Sequence, residues 1–203
     1  MASVEFVTLQ VADTTAAKRF YTTALDMDTL VRLEASDAPT SGFRGFTMSL
    51  IVSQPANANA IIDAALAADA TSLQPPKKSL WGYGGAFQAP DGAVWTVASS
   101  SKKDSGPASR EIDEVVLQLG VDDVGASKKF YTEQGFEVTK SYGSKYVEFA
   151  PPSSPIKLSL YKRKALAKVA SVDPQGTGSH RLLIGSDAGP FTDPDGYEWM
   201  ASK

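Results

Sequence analysis

Ser179 to Met200 reads SHRLLIGSDAGPFTDPDGYEWM, and its core, FTDPDGYEWM (Phe191 to Met200), has a near-copy in FQAPDGAVWT at Phe87 to Thr96. In both, an aromatic leads into Pro-Asp-Gly, and a short apolar run follows with Trp at the same offset. Pro fixes φ, Asp bonds back to the backbone and Gly takes positive φ, so each copy predicts strand, tight turn, strand. A second signal is duplicated upstream of each turn. Asp13-Thr-Thr-Ala-Ala-Lys-Arg-Phe-Tyr matches Asp123-Val-Gly-Ala-Ser-Lys-Lys-Phe-Tyr position for position, with Val11 and Val121 before them. Two signals recurring in the same order mean a duplicated unit.

Outward from these landmarks, Val4 to Val11 alternates as a half-buried strand, and Asp13 or Thr14 caps a helix bearing Ala17, Phe20, Tyr21, Ala24 and Leu25 on one face. Asp28 to Leu33 reads as a strand, 34–45 as a loop, Phe46 to Ser53 as a strand and Ala56 to Ala70 as an Ala-rich helix. Trp81 to Ala89 and Val94 to Ala98 flank the first turn. Ser99 to Arg110, SSSKKDSGPASR, is polar with Gly and Pro, and places a domain boundary there: 1–100, a linker over 101–110, and 111–203. The second half restarts with a strand at Glu114 to Val121 and a helix from Asp123 to Gln134, stopped by Gly135. Strands at Tyr146 to Phe149 and Ile156 to Tyr161 follow. Lys162 to Val169 reads as a short basic helix whose Tyr161-Lys-Arg-Lys start is solvated, and His180 to Ile184 as a strand. The first half lacks middle strands that the second has. The second lacks the long helix that the first has before its turn.

With 203 residues, 42% of them hydrophobic and 21% charged, the chain is an ordinary globular one with room for real cores. A net charge of −3 and the absence of a large Lys/Arg cluster argue against a nucleic-acid partner. No run is apolar enough to span a membrane and no signal peptide is visible. Zero cysteines exclude disulfides and thiolate sites and fit a cytoplasmic setting. A single histidine, His180, limits both metal and acid–base chemistry.

A strand ending Val-x-Asp, a helix carrying Phe-Tyr and a closing Asp-Pro-Asp-Gly hairpin together resemble the vicinal oxygen chelate superfamily, which includes glyoxalase I, extradiol dioxygenases and bleomycin-resistance proteins. The resemblance covers essentially the whole chain. It implies an α+β fold: tandem glyoxalase-like domains built from βαβββ modules, whose curved sheets enclose a cleft. It also implies a metal site in the enzymes of the group, with a ligand on the first strand of a module and a second after Asp-Pro-Asp-Gly. Carried over, those positions hold Phe6, Thr47 and Val116, then Thr96 and Met200; none is a good ligand for a divalent ion. His180, seven residues before Asp187, is the exception, and Glu198 shares a strand face with Met200. The pair reads either as a metal or acid–base dyad or as a loop-end histidine bonded locally beside a solvated carboxylate.

Thr8, Gln10, Ser49 and Gln118 share the inferred cleft face with Phe6, Thr47 and Thr96, and glycine-flanked Trp81 and Tyr83 are further candidates for a pocket wall. Phe20–Tyr21, Phe130–Tyr131, Trp95 and Trp199 read as core, and Asp193 and Asp195 as turn residues. Hydroxyls, amides and aromatics with few charges suit a neutral or polycyclic organic molecule. The first expectation is a metal-independent protein, without cofactor, that binds a small hydrophobic or aromatic molecule for sequestration or resistance. The alternatives are a lyase, isomerase or dioxygenase using His180 and Glu198, and a module that dimerises by its sheet edges with its own side chains filling the cleft. Whether two chains pair stays open.

Overall fold

The computed structural model describes residues 1–202 and is a mixed α+β structure built around one long curved sheet. Two complete βαβββ modules occupy its middle. The first comprises β4 (Phe46–Ile51), α2 (Pro55–Ala67), β5 (Thr71–Ser79), β6 (Gly82–Gln88) and β7 (Val94–Ser99); the second comprises β8 (Glu114–Val121), α3 (Val124–Glu133), β9 (Val138–Ser141), β10 (Tyr146–Phe149) and β11 (Ile156–Lys162). In each, the first and last strands are parallel neighbours, and the other two continue outward: β4-β7-β6-β5 and β8-β11-β10-β9. β4 and β8 lie side by side antiparallel, Thr47 opposite Gln118 and Ser49 opposite Val116.

The chain's ends form two trimmed modules. The first is β1 (Val4–Val11), α1 (Thr14–Phe20, extended by a π turn over Tyr21–Leu25) and β2 (Val31–Ala35). The last, after α4 (Arg163–Ala170), is β13 (Leu182–Ser186), β14 (Phe191–Thr192) and β15 (Glu198–Ala201). β1 pairs antiparallel with β13, and β2 takes the place beside β1 that a fourth strand fills in a complete module. No helix separates β13 from β14. Two short strands, β3 (Thr40–Gly42) and β12 (Gly176–Gly178), pair apart from the main sheet.

The expected fold class and the uneven trimming of the halves are therefore present. The sequence reading missed β5 and β9, which lie at outer positions of the sheet, are largely exposed and lack clean apolar alternation. It also starts β13 too early, because Arg181 has φ of 50° and turns the chain before the strand begins. The polar segment between β7 and β8 is held down: Gln54 accepts from the Ser105 and Gly106 N–H groups at 2.7 and 2.9 Å and donates to Pro107 O at 2.9 Å.

Local chemistry repeats with the sequence. Asp13 accepts from the Thr15 and Ala16 N–H groups, both at 2.9 Å, and Asp123 from Gly125 and Ala126 at 2.8 and 3.1 Å. Both satisfy orphan donors of a helix start. Each cap aims a helix so that its tyrosine reaches a Pro-Asp-Gly turn. Tyr21 donates to Asp91 Oδ2 at 2.6 Å, and Tyr131 to Asp193 Oδ2 at 2.5 Å. The two copies differ in register: Asp91 follows its proline, whereas Asp193 precedes Pro194 and also accepts from the Asp195 and Tyr197 N–H groups. Asp195, the sequence equivalent of Asp91, instead accepts from Asp122 N–H and Ser127 Oγ. Trp95 and Trp199 lie beside Tyr21 and Tyr131 at ring separations of 5.6 and 5.4 Å, in the core as expected.

Burial and the adjacent carboxylate push both phenols well above their ordinary value, so they remain donors. Removing either hydroxyl strands a largely desolvated carboxylate oxygen. Tyr131→Phe and Tyr21→Phe should each lower unfolding stability by about 1–3 kcal/mol in urea titrations. A loss below about 0.5 kcal/mol in both would show that these bonds do not hold the modules.

Candidate functional site

The concave face of the two complete modules carries Thr47, Ser49, Thr96, Val116 and Gln118, while Met48, Leu50, Trp95, Leu117 and Leu119 point into the helix-covered core. One end of that face is already covered. α4 lies across it, packing Leu166, Ala167 and Ala170 against Phe43 and Val94 in a separate apolar cluster. β4 is consequently buried on both faces, which is why its alternation is lost. Beneath this cover Thr47 is fully buried and donates to Gln118 Oε1 at 2.8 Å.

Beyond α4 the face opens into a cavity of about 530 Å³, within the range of small-molecule sites. Ser49, Thr96, Val116 and Gln118 form its floor, and Trp81, Tyr83, Tyr146 and Tyr161 its walls. Trp81 sits at the tip of the β5–β6 hairpin rather than in a strand, at the edge of the cavity, and is 86% exposed. Tyr83 presents its ring while its hydroxyl donates to Asn59 Oδ1 at 2.7 Å. Tyr146 and Tyr161 meet edge to face at 4.9 Å, and the Tyr146 hydroxyl donates to Glu148 Oε2 at 2.6 Å. Burial, then Glu148, raises both phenols, so they offer donors and faces rather than acid–base groups at neutral pH. Two of the three charges that line it are paired, Glu148 at 3.9 Å from Lys140 and Glu114 at 2.5 Å from Lys157, and the third, Lys77, forms no ion pair among the described residues.

Of the residues inferred from sequence, Ser49, Trp81, Tyr83, Thr96 and Gln118 line this cavity, with Thr47 supporting Gln118 from below. Phe6, Thr8, Gln10 and Met200 lie in the other half, on β1 and β15. The corresponding face there is filled at Phe6, with the Arg32 guanidinium 3.3 Å above the ring and Gly185 directly under it, and a smaller polar cavity of about 290 Å³ remains beside them, lined by Glu5, Thr29, Asp187 and Ser202. Tyr146, Tyr161, Glu114 and Glu148 were missed. Their places on three correctly read strands were visible, but not that β11 lies next to β8. A larger groove of about 680 Å³ runs between α1 and α2 on the outer face, over Ala64, Ala67 and Ala68, with Arg19, Asp69 and Arg110 also lining it.

His180 leaves the sheet at the Arg181 turn and stacks on Tyr197 at 4.0 Å. Its Nδ1 faces Arg44 O at 2.5 Å and its Nε2 faces Asp195 O at 3.2 Å. Both nitrogens thus meet acceptors, and a metal needs a free lone pair. Glu198 is exposed on β15, and no hydrogen bond joins it to His180 among the described residues. The same residues contain no cluster of three His, Asp or Glu side chains able to hold a metal ion. The donor set on the cavity floor, two hydroxyls and one amide already engaged by Thr47, does not fit the group's divalent metal.

With this geometry in hand, the chain has the fold of the vicinal oxygen chelate superfamily, in its tandem form. Glyoxalase I from Zea mays superposes with a TM-score of 0.61 over 98% of this chain and 91% of its own, at 13% identity. A proposed dioxygenase from Bacillus subtilis superposes with a TM-score of 0.56 over 90% of this chain and 69% of its own, at 11% identity. No family model matches the sequence, and no curated protein matches it. No helix among the described residues is long and apolar enough to cross a membrane.

The filled half makes its own prediction. A Cβ at Gly185 would lie 2.4–2.6 Å from Phe6 ring atoms, so Gly185→Ala must displace the ring and should cost about 1–3 kcal/mol by thermal or urea unfolding. Combined with Phe6→Leu, the loss should be smaller than the sum of the two single losses. Strict additivity would mean that Phe6 does not fill this face.

Proposed function

We propose that this chain binds a small aromatic or hydrophobic molecule, without a metal, in the concave cavity of its complete modules, and holds it rather than transforms it. The observation that carries the reading is the cavity's composition. Thr96 and Val116 of the floor stand at positions to which the resemblance assigns metal ligands, and the walls are four aromatic rings. Flat aromatic faces with few fixed donors suit a polycyclic ligand held by stacking and one or two hydrogen bonds. The Gln118 amide, held by Thr47, is the fixed polar contact. The same reading places the protein in the cytoplasm, supported by its lack of cysteine. Catalysis through His180 and Glu198 draws no support from their positions.

Trp81 provides the readout, because Trp95 and Trp199 are buried. Titration with a panel of planar aromatic natural products should quench or blue-shift Trp81 emission at micromolar concentration, and Trp81→Phe should abolish that change. Trp81→Ala should weaken binding about tenfold, the equivalent of about 1.4 kcal/mol of stacking and burial. Failure of every compound below millimolar concentration, or a stoichiometric metal by plasma mass spectrometry after purification without tag or chelator, would reject the proposal.

A further inference from the structure

Three arginines meet where the central modules join the terminal ones. Arg44 precedes β4, Arg163 opens α4 and Arg181 precedes β13. The sequence reading places Arg163 in a solvated helix start, but only its neighbours Lys162 and Lys164 are exposed; all three arginines are half-buried. None of them forms an ion pair among the described residues. Each donates to main-chain carbonyls instead: Arg44 to Asp91 O, Arg163 to Phe43 O and to Pro174 O (3.0 Å), and Arg181 twice to Ala38 O (2.9 and 2.7 Å). Carbonyl dipoles satisfy N–H groups but leave the net charge in place.

The two nearby carboxylates are engaged elsewhere. Asp91 accepts from Tyr21 and the Ala93 N–H, and Asp195 from the Asp122 N–H and Ser127. Arg44 Nη1 is buried with no acceptor among the described residues. Burial, and more weakly the Arg181 charge, depress its guanidinium despite the pull of Asp91. Arg163 Nη1 makes no hydrogen bond to the described residues and lies over Gly45, where a Cβ would come within 2.5 Å of it and within 2.6 Å of Tyr197 Oη.

A cavity of about 120 Å³ opens beside these groups, bounded by Phe43, Arg44, Arg163, His180 and the strand from Gly176 to Ser179. That volume equals roughly four water molecules in the liquid, enough for a tetrahedral oxyanion. Among the described residues no carboxylate lines it. Hydroxyls of Thr177 and Ser179 stand on one side, and the start of α4, with its unpaired N–H groups, adds positive potential on the other.

We propose that this cavity is an oxyanion site that holds a phosphate group, free or at the end of a larger molecule, against Arg163 and the 176–179 strand. It is separate from the aromatic cavity and does not depend on what that cavity binds. The anion supplies the countercharge that Arg44 and Arg163, the two guanidiniums at the cavity wall, lack.

Calorimetry at constant ionic strength, with chloride as the matching salt, should show inorganic phosphate binding at one site per chain and raising the melting temperature. Arg163→Gln should weaken binding about tenfold or more. Because Arg163 also clamps two loops, Thr177→Glu is the second variant: it puts a carboxylate at an exposed position beside the site and should abolish binding in a folded protein. Lys164→Gln, an exposed charge one residue away, should change affinity by less than about twofold. Phenyl phosphate binding as well as inorganic phosphate identifies a terminal phosphate as the natural ligand, and weaker binding identifies the free ion. Equal stabilisation by chloride, or undiminished phosphate binding in Thr177→Glu, would overturn the proposal.

Discussion

The hydrogen bond from a helix tyrosine to a turn aspartate is the constraint on which the arrangement of modules depends. Each bond crosses a module boundary. Tyr21 of the first trimmed module reaches the β6–β7 turn of the first complete one, and Tyr131 of the second complete module reaches the β14–β15 turn of the last trimmed one. Strand pairing links the modules the other way: complete with complete through β4 and β8, trimmed with trimmed through β1 and β13. Sheet pairing and side-chain ties therefore alternate around a ring of four, and one further strand contact, Val4 opposite Ile156, joins β1 to β11 across it and makes the sheet continuous. A buried phenol and a largely desolvated carboxylate cannot part without stranding both, so each bond fixes a distance as well as contributing energy.

Duplication supplied two concave faces, and the chain has treated them differently. One is narrowed by Phe6 under Arg32, which leave only a small polar cavity beside them, and needs a glycine at 185 to admit the ring. The other is half covered by α4, leaving the remainder open under Trp81. The amphipathic α4 is short, with apolar Leu166, Ala167 and Ala170 on one side and Lys164 and Lys168 on the other, so it seats on the sheet without supplying functional groups to the cavity beyond Val169. A cavity bounded by a helix on one side and a tryptophan hairpin on the other is smaller than the full cleft and more aromatic.

The order of elements was legible because two turns and two helix starts are written twice, and local chemistry forces the same geometry each time. β1, β4, β8, β10 and β11 follow from alternation and runs of β-branched residues. Which strands lie together is a long-range property that alternation does not encode, so the tyrosines of β10 and β11 were read as strand residues without being assigned to the wall they form. Phe6, Thr8 and Gln10 were correctly placed on one strand face, but the occupant of the space in front of them, Arg32, lies on another strand. His180 was misplaced in a strand by a single left-handed residue, Arg181, for which the side chain gives no signal. The Asp91 and Asp193 ties show the same limit: the better sequence match, Asp195, is not the residue that Tyr131 meets.

The pairing of β1 with β13 also governs the order in which the fold can assemble. Val7 lies opposite Ile184, nearly the whole chain away. During synthesis β1 emerges well before β13, its main antiparallel partner, while β4 to β10 have all their partners within the segment between and β11 meets β1 only at Val4 and Ile156. The central modules can therefore close early, but β1 must keep an apolar strand edge until β13 arrives. The late joining carries the largest loop-closure entropy in the molecule and makes the terminal half the slow step of folding. Until then β1 is the part of the chain most exposed to pairing with another molecule.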